Sequence, residues 1–460
     1  MTDAAAALRP AAKFTQGNIM RHVVTMSLTS AVGLMAIFLV DLLSLLYVSW
    51  LGSTMKIAAI GFASIIWFIA MSVNIGLMIA ISAVVSKALG AGDRQGARRI
   101  AGSGVAWIAV ISLITAAGLW LFRDDLLSAL NASGPAKALA SRVLAVTLPA
   151  NVLLGIGLAY SAVLRAAGDA RRAMYVTLSG GIATAFIDPA LIFGLHLDVM
   201  GAAYSTVISR VIFLVVGYLG AVRRHDLVAW PNWRDMQTDG KPLAAIAGPA
   251  VLANLATPVG SAFLSRIIAS YGNEAVAAGA VIDRVTPIAF GGLFALSGAV
   301  GPILGQNWGA GLYPRMLRTL RDSYLVAAIY VVVTWLALIF LRSGIVAMFR
   351  LDATSATIVR AYCLASGPGW IGLGAMFVAN ASFNNLGAPL RSTLFNWGRA
   401  TLGTIPFALI GAHYLGALGA MYGVLAAAIV FGLFASLSAF GVLNRIAEAK
   451  AVPKLYGRKT

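Results

Sequence analysis

The chain contains a single cysteine, Cys363, so no disulfide can close within it and no cysteine metal cluster can form. Histidine is nearly as scarce. His22, His196, His225 and His413 stand at the ends of apolar runs, too scattered to gather round a metal. Charge is the third shortage: Asp, Glu, Lys and Arg make up 11% of the 460 residues, against roughly 25% in an average soluble domain. The mean hydropathy is +0.87. So little charge cannot cover a water-facing surface, which excludes a soluble globular enzyme and a disordered tail. Acids are scarcest, 16 against 34 basic residues, for a formal charge of +18. That balance invites a nucleic-acid reading, but a nucleic-acid binder needs its basic residues on a soluble face. Here they sit in short breaks between apolar runs. The 48 glycines show no three-residue period, and the first twenty residues hold no apolar core with a cleavage site.

What is present is a succession of long apolar runs. Twelve are long enough to cross a bilayer as helices: 21–48, 55–85, 97–122, 136–164, 172–195, 200–222, 242–270, 275–304, 319–341, 354–385, 390–412 and 417–443. They do not alternate, so a barrel is excluded, and only a helical bundle satisfies the backbone of such segments. The expected class is an all-α integral membrane protein with twelve transmembrane helices. Of the 34 basic residues, 23 fall in the N-terminus, the even-to-odd loops and the C-terminus. By the positive-inside rule both termini are cytoplasmic, and the +18 is mostly a topology signal.

The longest polar stretch, 223–241, lies at the centre of the chain and reads as a cytoplasmic linker. Around it the sequence repeats. Gly90-Ala91-Gly92 recurs as Gly309-Ala310-Gly311, Gly168 with Arg172 as Gly387 with Arg391, and Ala58-Ala59 as Ala277-Ala278, each 219 residues on. Gly201-Ala202 with Tyr204 recurs as Gly419-Ala420 with Tyr422 at 218. The expected domains are an N-lobe of six helices (1–222), the linker (223–241) and a C-lobe of six helices (242–460). Six is even, so the halves share one orientation and relate by a pseudo-two-fold along the membrane normal. That geometry suits a transporter working by alternating access.

Three acids fall inside spans: Asp41, Asp188 and Asp283. A charge at the bilayer centre costs at least about 2.5–3.5 kcal/mol on insertion scales, so each is a candidate functional group. Asp41 and Asp188 lie at similar depth in the N-terminal half. Thr184 precedes Asp188 by four residues and shares its helical face. Pro189 cannot donate to the carbonyl of Ala185, which leaves a further oxygen nearby. Hard oxygen ligands of this kind suit a proton or a small hard cation. The alternative is structural: each acid pairs with a buried arginine, Arg210 for Asp188. Positions 219 residues on from Asp41 and Asp188 are Gly260 and Phe407, an asymmetry that favours function over scaffold. Asp283 beside Arg284 reads as an internal pair or as cavity lining. A membrane enzyme would need clustered His or a nucleophile–base set at one depth, and none is legible. The glycine-rich turn 89–99 lacks the lysine-Ser/Thr end of a phosphate loop.

The chain resembles the multidrug and toxic compound extrusion (MATE) transporters over nearly its full length. The motifs that carry this are VDLLSLLYVSWLG (40–52), VSKALGAGD (85–93), VLRAAGDARRAMYVTLSGGIATAFIDPALIFG (163–194), GAAYSTVISR (201–210) and VGPILGQNWGAGLYPRM (300–316). The resemblance implies two six-helix lobes, a V-shaped central cavity and cation-coupled export. It also implies an N-lobe cation site at Asp41, Asp188 and Thr206, with Thr184 standing where the family has an asparagine. That replacement favours a proton over sodium. The stretches that carry C-lobe acids in another branch, 248–260 and 367–383, contain none, so the resemblance points to the DinF-like branch. In family members a proline often precedes the helix 1 acid by about four turns; Met26 stands near that place.

The expected function is a multidrug efflux antiporter of the plasma (inner) membrane, monomeric, exporting amphipathic, cationic organic compounds in exchange for protons. It uses no cofactor and binds no nucleic acid. Met35, Trp67, Met71, Asp283, Arg284 and Trp370 are candidates for the substrate cavity. The alternatives are a flippase for a lipid-linked precursor, for which Arg266 and Arg284 would be C-lobe contacts, and an exporter of one specific metabolite.

Overall fold

The structure is a computed structural model that describes residues 12–456; the side chains of Asp41, Leu42, Leu45, Ser49 and Thr54 and those from Lys450 onward also lie outside the described residues. Among the described residues there are helices and no strands. The spans are numbered here in chain order. Spans 1 to 3 are Ile19–Ser49, Thr54–Gly90 and Arg94–Leu121. Span 4 is a broken pair, Gly134–Thr147 and Asn151–Ala166, bent by 50° at Pro149. Span 5 is Ala170–Pro189 with a π turn, Ala190–Gly194. Span 6 is Asp198–Tyr218 with a second π turn, Leu219–Arg224. Spans 7 to 9 are Trp233–Ala269, Asn273–Gly309 and Tyr313–Met348. Span 10 is again broken, Ala353–Ala365 and Gly367–Asn385, bent by 57°.

The remaining helical stretch runs over Pro389–Ala449, but Leu415 and Gly416 leave helical geometry inside it. It is therefore two spans, 11 and 12. With the bent pairs counted once each, all twelve apolar runs are spans.

The internal repeat is written into the turns. Gly92 and Gly311 both adopt positive φ, as do Gly168 and Gly387, and Gly52 and Gly272. Asp198 and Gly416 form a fourth pair at φ +58° and +61°. Left-handed backbone is cheap only for glycine, which explains why glycine survives at the first three of these matched turns while the helices between them have diverged.

By internal packing the chain forms two compact units. One takes Val32–Leu89 and Asp93–Val251; the other takes the described residues up to Ala31, Gly90–Gly92 and Leu252 onward. In the first unit, spans 2, 3, 4 and 6 share a core that includes Ile81, Ile108, Val163, Leu164 and Phe213. In the second, spans 10 and 12 approach through small residues: a Cβ on Gly432 would lie 2.1 Å from the Gly372 carbonyl oxygen. Close backbone approach through glycine is how helices associate where lipid removes the hydrophobic drive.

Two segments outside the spans are tied down. Phe14 is buried at 1% exposure. Its N–H donates to Gln306 Oε1 (2.8 Å), and its carbonyl accepts from Arg315 Nη2 (2.9 Å) and Asn307 Nδ2 (3.2 Å). Arg315 also donates to the carbonyls of Gln16 and Gly17. The segment before span 1 is thus strapped to the junction of spans 8 and 9.

In the other unit, the stretch after span 6 is held on span 3. Arg98 pairs with Asp226 at 2.8 Å, Arg99 with Asp239 at 3.1 Å, and Trp107 donates to the Met236 carbonyl. Only 225–232 lacks helical structure here, since span 7 begins at Trp233. Asp169 caps span 5 through the Arg172 N–H, pairs with the Arg172 side chain and meets His225 Nε2 at 2.8 Å. Burial alone would raise its carboxyl, but the hydrogen bonds from His225 and Arg172 outweigh burial and hold it below the usual carboxylate range. A lowered folded-state value means the stability it contributes is full above the ordinary carboxylate range and is lost as pH falls through the lowered value. The thermal midpoint of Asp169→Asn should therefore lie below wild type near neutrality and converge with it in acid, below the ordinary carboxylate range. Parallel curves over that range would remove Asp169 from the anchor.

Candidate functional site

Spans 1 and 5 lie side by side because glycine lets them. A Cβ on Gly33 would sit 2.2 Å from Thr177 Oγ1, and Gly181 faces Ala36 and Val40 at 3.5–3.6 Å. Eleven residues on from Gly33 and from Thr177 come Ser44 and Asp188. Equal spacing on two parallel helices of 1.5 Å rise per residue brings those two side chains to one level, and the Ser44 hydroxyl donates to Asp188 Oδ2.

Asp188 is 1% exposed. Its Oδ1 has no hydrogen-bond partner among the described residues. The buried Ser205 hydroxyl, from span 6, faces the same carboxyl group without forming a hydrogen bond of good geometry. Among the described residues no Lys, Arg or His nitrogen lies within 4.0 Å of Asp188. Arg210, the arginine the sequence offers as a partner, is turned elsewhere: Nη1 donates to the Thr147 carbonyl at 2.7 Å. Span 4 breaks at that carbonyl, and Trp67 donates to the Thr147 hydroxyl at 2.8 Å. Arg210 therefore caps a broken helix, and the structural pairing with Asp188 is not formed.

The other residues named from the sequence are placed as follows. Asp41 is on span 1, one helical turn before Ser44, and its side chain lies outside the described residues. Thr184 donates to the Gly180 carbonyl of its own helix at 3.0 Å, and Thr206 to the Ala202 carbonyl at 2.9 Å. Both hydroxyl protons are thus committed within their helices. Met71 and Trp67 are partly buried against N-lobe cores; Met35 is half-buried. In the other unit Trp370 stacks on Phe290, with centroids 4.2 Å apart and planes 10° apart, and donates to the Tyr362 hydroxyl at 3.2 Å. Asp283 and Arg284 are both exposed on span 8 and make no ion pair. Among the described residues no group of three His, Cys, Asp or Glu could hold a metal.

Ser44 and Ser205 are the contacts that sequence reasoning passed over. A signal existed for the first, since Ser44 follows Asp41 by three residues and so shares its helical face. None existed for Ser205, whose neighbour Thr206 drew the assignment.

Chemically, the site is a desolvated carboxyl with, among the described residues, one oxygen unused, one serine donor and no counter-charge. A carboxylate in that setting is stable only when it takes up a proton or a cation.

The comparisons with known proteins agree with this architecture. The MatE family model matches residues 30–189 and again 249–410, well over half the chain and once in each half of the repeat. A protein of Shewanella oneidensis described as an FAD transporter is 27% identical over 438 residues, covering 93% of this chain and 95% of its own. A probable multidrug resistance protein NorM of Thermotoga maritima is 25% identical over 80% of this chain and 81% of its own. Among solved structures, the Vibrio cholerae MATE transporter VcmN in its bent form superposes with a TM-score of 0.87 at 22% identity, over 93% of this chain and 98% of that one. A MOP superfamily transporter from Pyrococcus furiosus superposes at 0.88 and 20% identity, over 95% and 98%. Twelve spans in two lobes and a family match repeated in each half lead to one conclusion: the chain belongs to the MatE family of multi-pass membrane transporters.

Proposed function

We propose that the protein exports amphipathic organic compounds across the plasma membrane, coupled to proton entry at Asp188 and Asp41. The observation that carries this is the buried Asp188 carboxyl with an unused oxygen and no cationic partner. Such a group changes charge state whenever a proton arrives, and its surroundings on spans 1, 5 and 6 must answer that change. Protonation would let Oδ1 donate to an acceptor on a neighbouring span; deprotonation removes that donor. Occupancy therefore biases how span 1 packs, which is the differential contact that an alternating-access cycle requires.

A proton fits better than sodium, because Thr184 offers a single hydroxyl where the family has an asparagine amide. In this reading residues 1–222 form the N-lobe, 223–241 a cytoplasmic linker and 242–460 the C-lobe, with both termini in the cytoplasm. Relatives described as multidrug export proteins support broad specificity. The relative described as an FAD transporter supports a second reading, export of one metabolite through the same cycle.

The test is transport of the fluorescent cation ethidium in proteoliposomes of the full chain, with pH and sodium gradients imposed separately. An inward proton gradient alone should drive export, and a sodium gradient at equal pH on both sides should not. Export driven only by sodium would overturn the coupling assignment. Export indifferent to both would overturn antiport.

A further inference from the structure

The half-buried arginines inside spans include Arg165, Arg210 and Arg399. Two are satisfied in ways that explain them. Arg165 donates to Ser161 Oγ at 3.1 Å and points its other end at Met78 Sδ at 3.0 Å, near the cytoplasmic end of span 4. Arg210 caps the broken span 4 at Thr147.

Arg399 differs. Its Nε is fully buried and has no hydrogen-bond partner. Among the described residues none of its guanidinium nitrogens donates to a protein acceptor, although a guanidinium carries five N–H donors. No carboxylate lies within 4.0 Å of it. A half-buried guanidinium with its Nε buried and none of its donors used within the protein is costly, and an intramembrane charge left so is a functional hypothesis by default.

The local backbone is built around this position. Arg399 opens a π turn, Arg399–Gly403, in the middle of span 11. Such single-turn widenings recur at functional sites. The neighbours on that turn are packed tightly: Ala400 lies 3.4 Å from a Cβ built on Gly260 of span 7, and Gly398 and Gly403 close on Phe431 of span 12. The backbone of the turn that carries Arg399 is thus held on two sides. Depth argues against lipid phosphate as the partner. Arg399 is ten residues beyond Pro389, about 15 Å along the helix at 1.5 Å per residue, close to the midplane of a hydrocarbon layer about 30 Å thick.

We infer that Arg399 is an oxyanion-binding residue of the C-lobe, taking a carboxylate, sulfonate or phosphate group on the exported compound. The planar fork of a guanidinium matches such groups with two parallel hydrogen bonds, and the group would supply the counter-charge and acceptors that the protein does not. The inference rests on the export reading and narrows it: compounds with an oxyanion, zwitterions among them, are preferred over those without one.

The test compares two dyes of one aromatic frame, 8-anilinonaphthalene-1-sulfonate and N-phenyl-1-naphthylamine, which lacks the sulfonate. Binding to the full chain in nanodiscs is measured by equilibrium dialysis against protein-free nanodiscs. Wild type should favour the sulfonated dye by tenfold or more. Arg399→Gln should abolish that preference. Arg399→Lys, which keeps the charge and loses the fork, should retain only part of it and serves if the glutamine variant does not fold. Equal binding of both dyes by wild type, or an undiminished preference in either variant, overturns the inference. A preference that holds in binding while no gradient drives export would overturn the export reading and leave the oxyanion site standing.

Discussion

Asp188→Asn is expected to reduce gradient-driven export to the level of protein-free vesicles while leaving the protein as stable as wild type or more so. The two outcomes together separate function from scaffold. Had Asp188 been half of a buried ion pair, removing its charge would strand the other half, which costs about 3–5 kcal/mol. Its Oδ2 accepts from Ser44, its Oδ1 accepts from nothing among the described residues, and Arg210 is engaged with Thr147. Asparagine has the same shape, still offers one oxygen to Ser44, and carries no charge to desolvate. A gain of about 1 kcal/mol would raise the midpoint by about 2–4 °C for a unit of this size. Transport and thermal unfolding of the same purified variant decide the matter. Export at the wild-type rate would remove Asp188 from the coupling mechanism, and a large fall in midpoint would make it structural.

The second large effect concerns packing in the other unit. Gly411→Val should destabilise the protein by about 3 kcal/mol or more, at the upper end of what overpacking does. A Cβ on Gly411 would lie 1.9 Å from the carbonyl oxygen of Gly419, and one on Gly419 the same distance from the carbonyl oxygen of Gly411. One turn further, a Cβ on Gly423 would lie 2.1 Å from the Phe407 carbonyl oxygen. These atoms are backbone on both sides, so no rotamer change relieves the contact. Spans 11 and 12 meet here just either side of the break at Leu415–Gly416, and pushing them apart opens the hairpin. Gly344→Val is the control, because nothing lies within 4 Å of its missing Cβ. Thermal midpoint and the monodisperse fraction on size exclusion measure both. Equal behaviour of the two variants would show that the crossing yields more easily than its backbone contacts imply.

Much of this molecule is legible along the chain, for reasons that differ by feature. The spans can be read because a bilayer demands some twenty apolar residues in succession, and that demand is local. The duplication can be read because left-handed turns hold glycine at Gly92 and Gly311, and at Gly168 and Gly387, after the helices between them have drifted apart. The buried acid can be read because a carboxylate among isoleucines and phenylalanines needs a reason wherever it occurs.

Contacts made between helices could not be read in this way. Nothing near Asp188 in sequence announces Ser205, and nothing near Arg399 announces that it lacks a partner. The docking of Phe14 on Gln306 and Arg315 joins residues about three hundred apart. Arg210 shows the limit most plainly: its sequence neighbourhood offers Asp188, and the fold gives it Thr147.

The sequence by itself determined that this is a duplicated twelve-helix membrane protein with a scarce, buried acid in its first half, because hydropathy, turn geometry and the cost of burying charge are properties of short segments. Only the tertiary structure decided which charges are paired. Pairing depends on which helix faces meet and at what level. That is set by where glycines such as Gly33 and Gly181 let two backbones close, so among the described residues Asp188 keeps an unused oxygen and Arg399 its unused donors, while Arg165 and Arg210 are hydrogen-bonded.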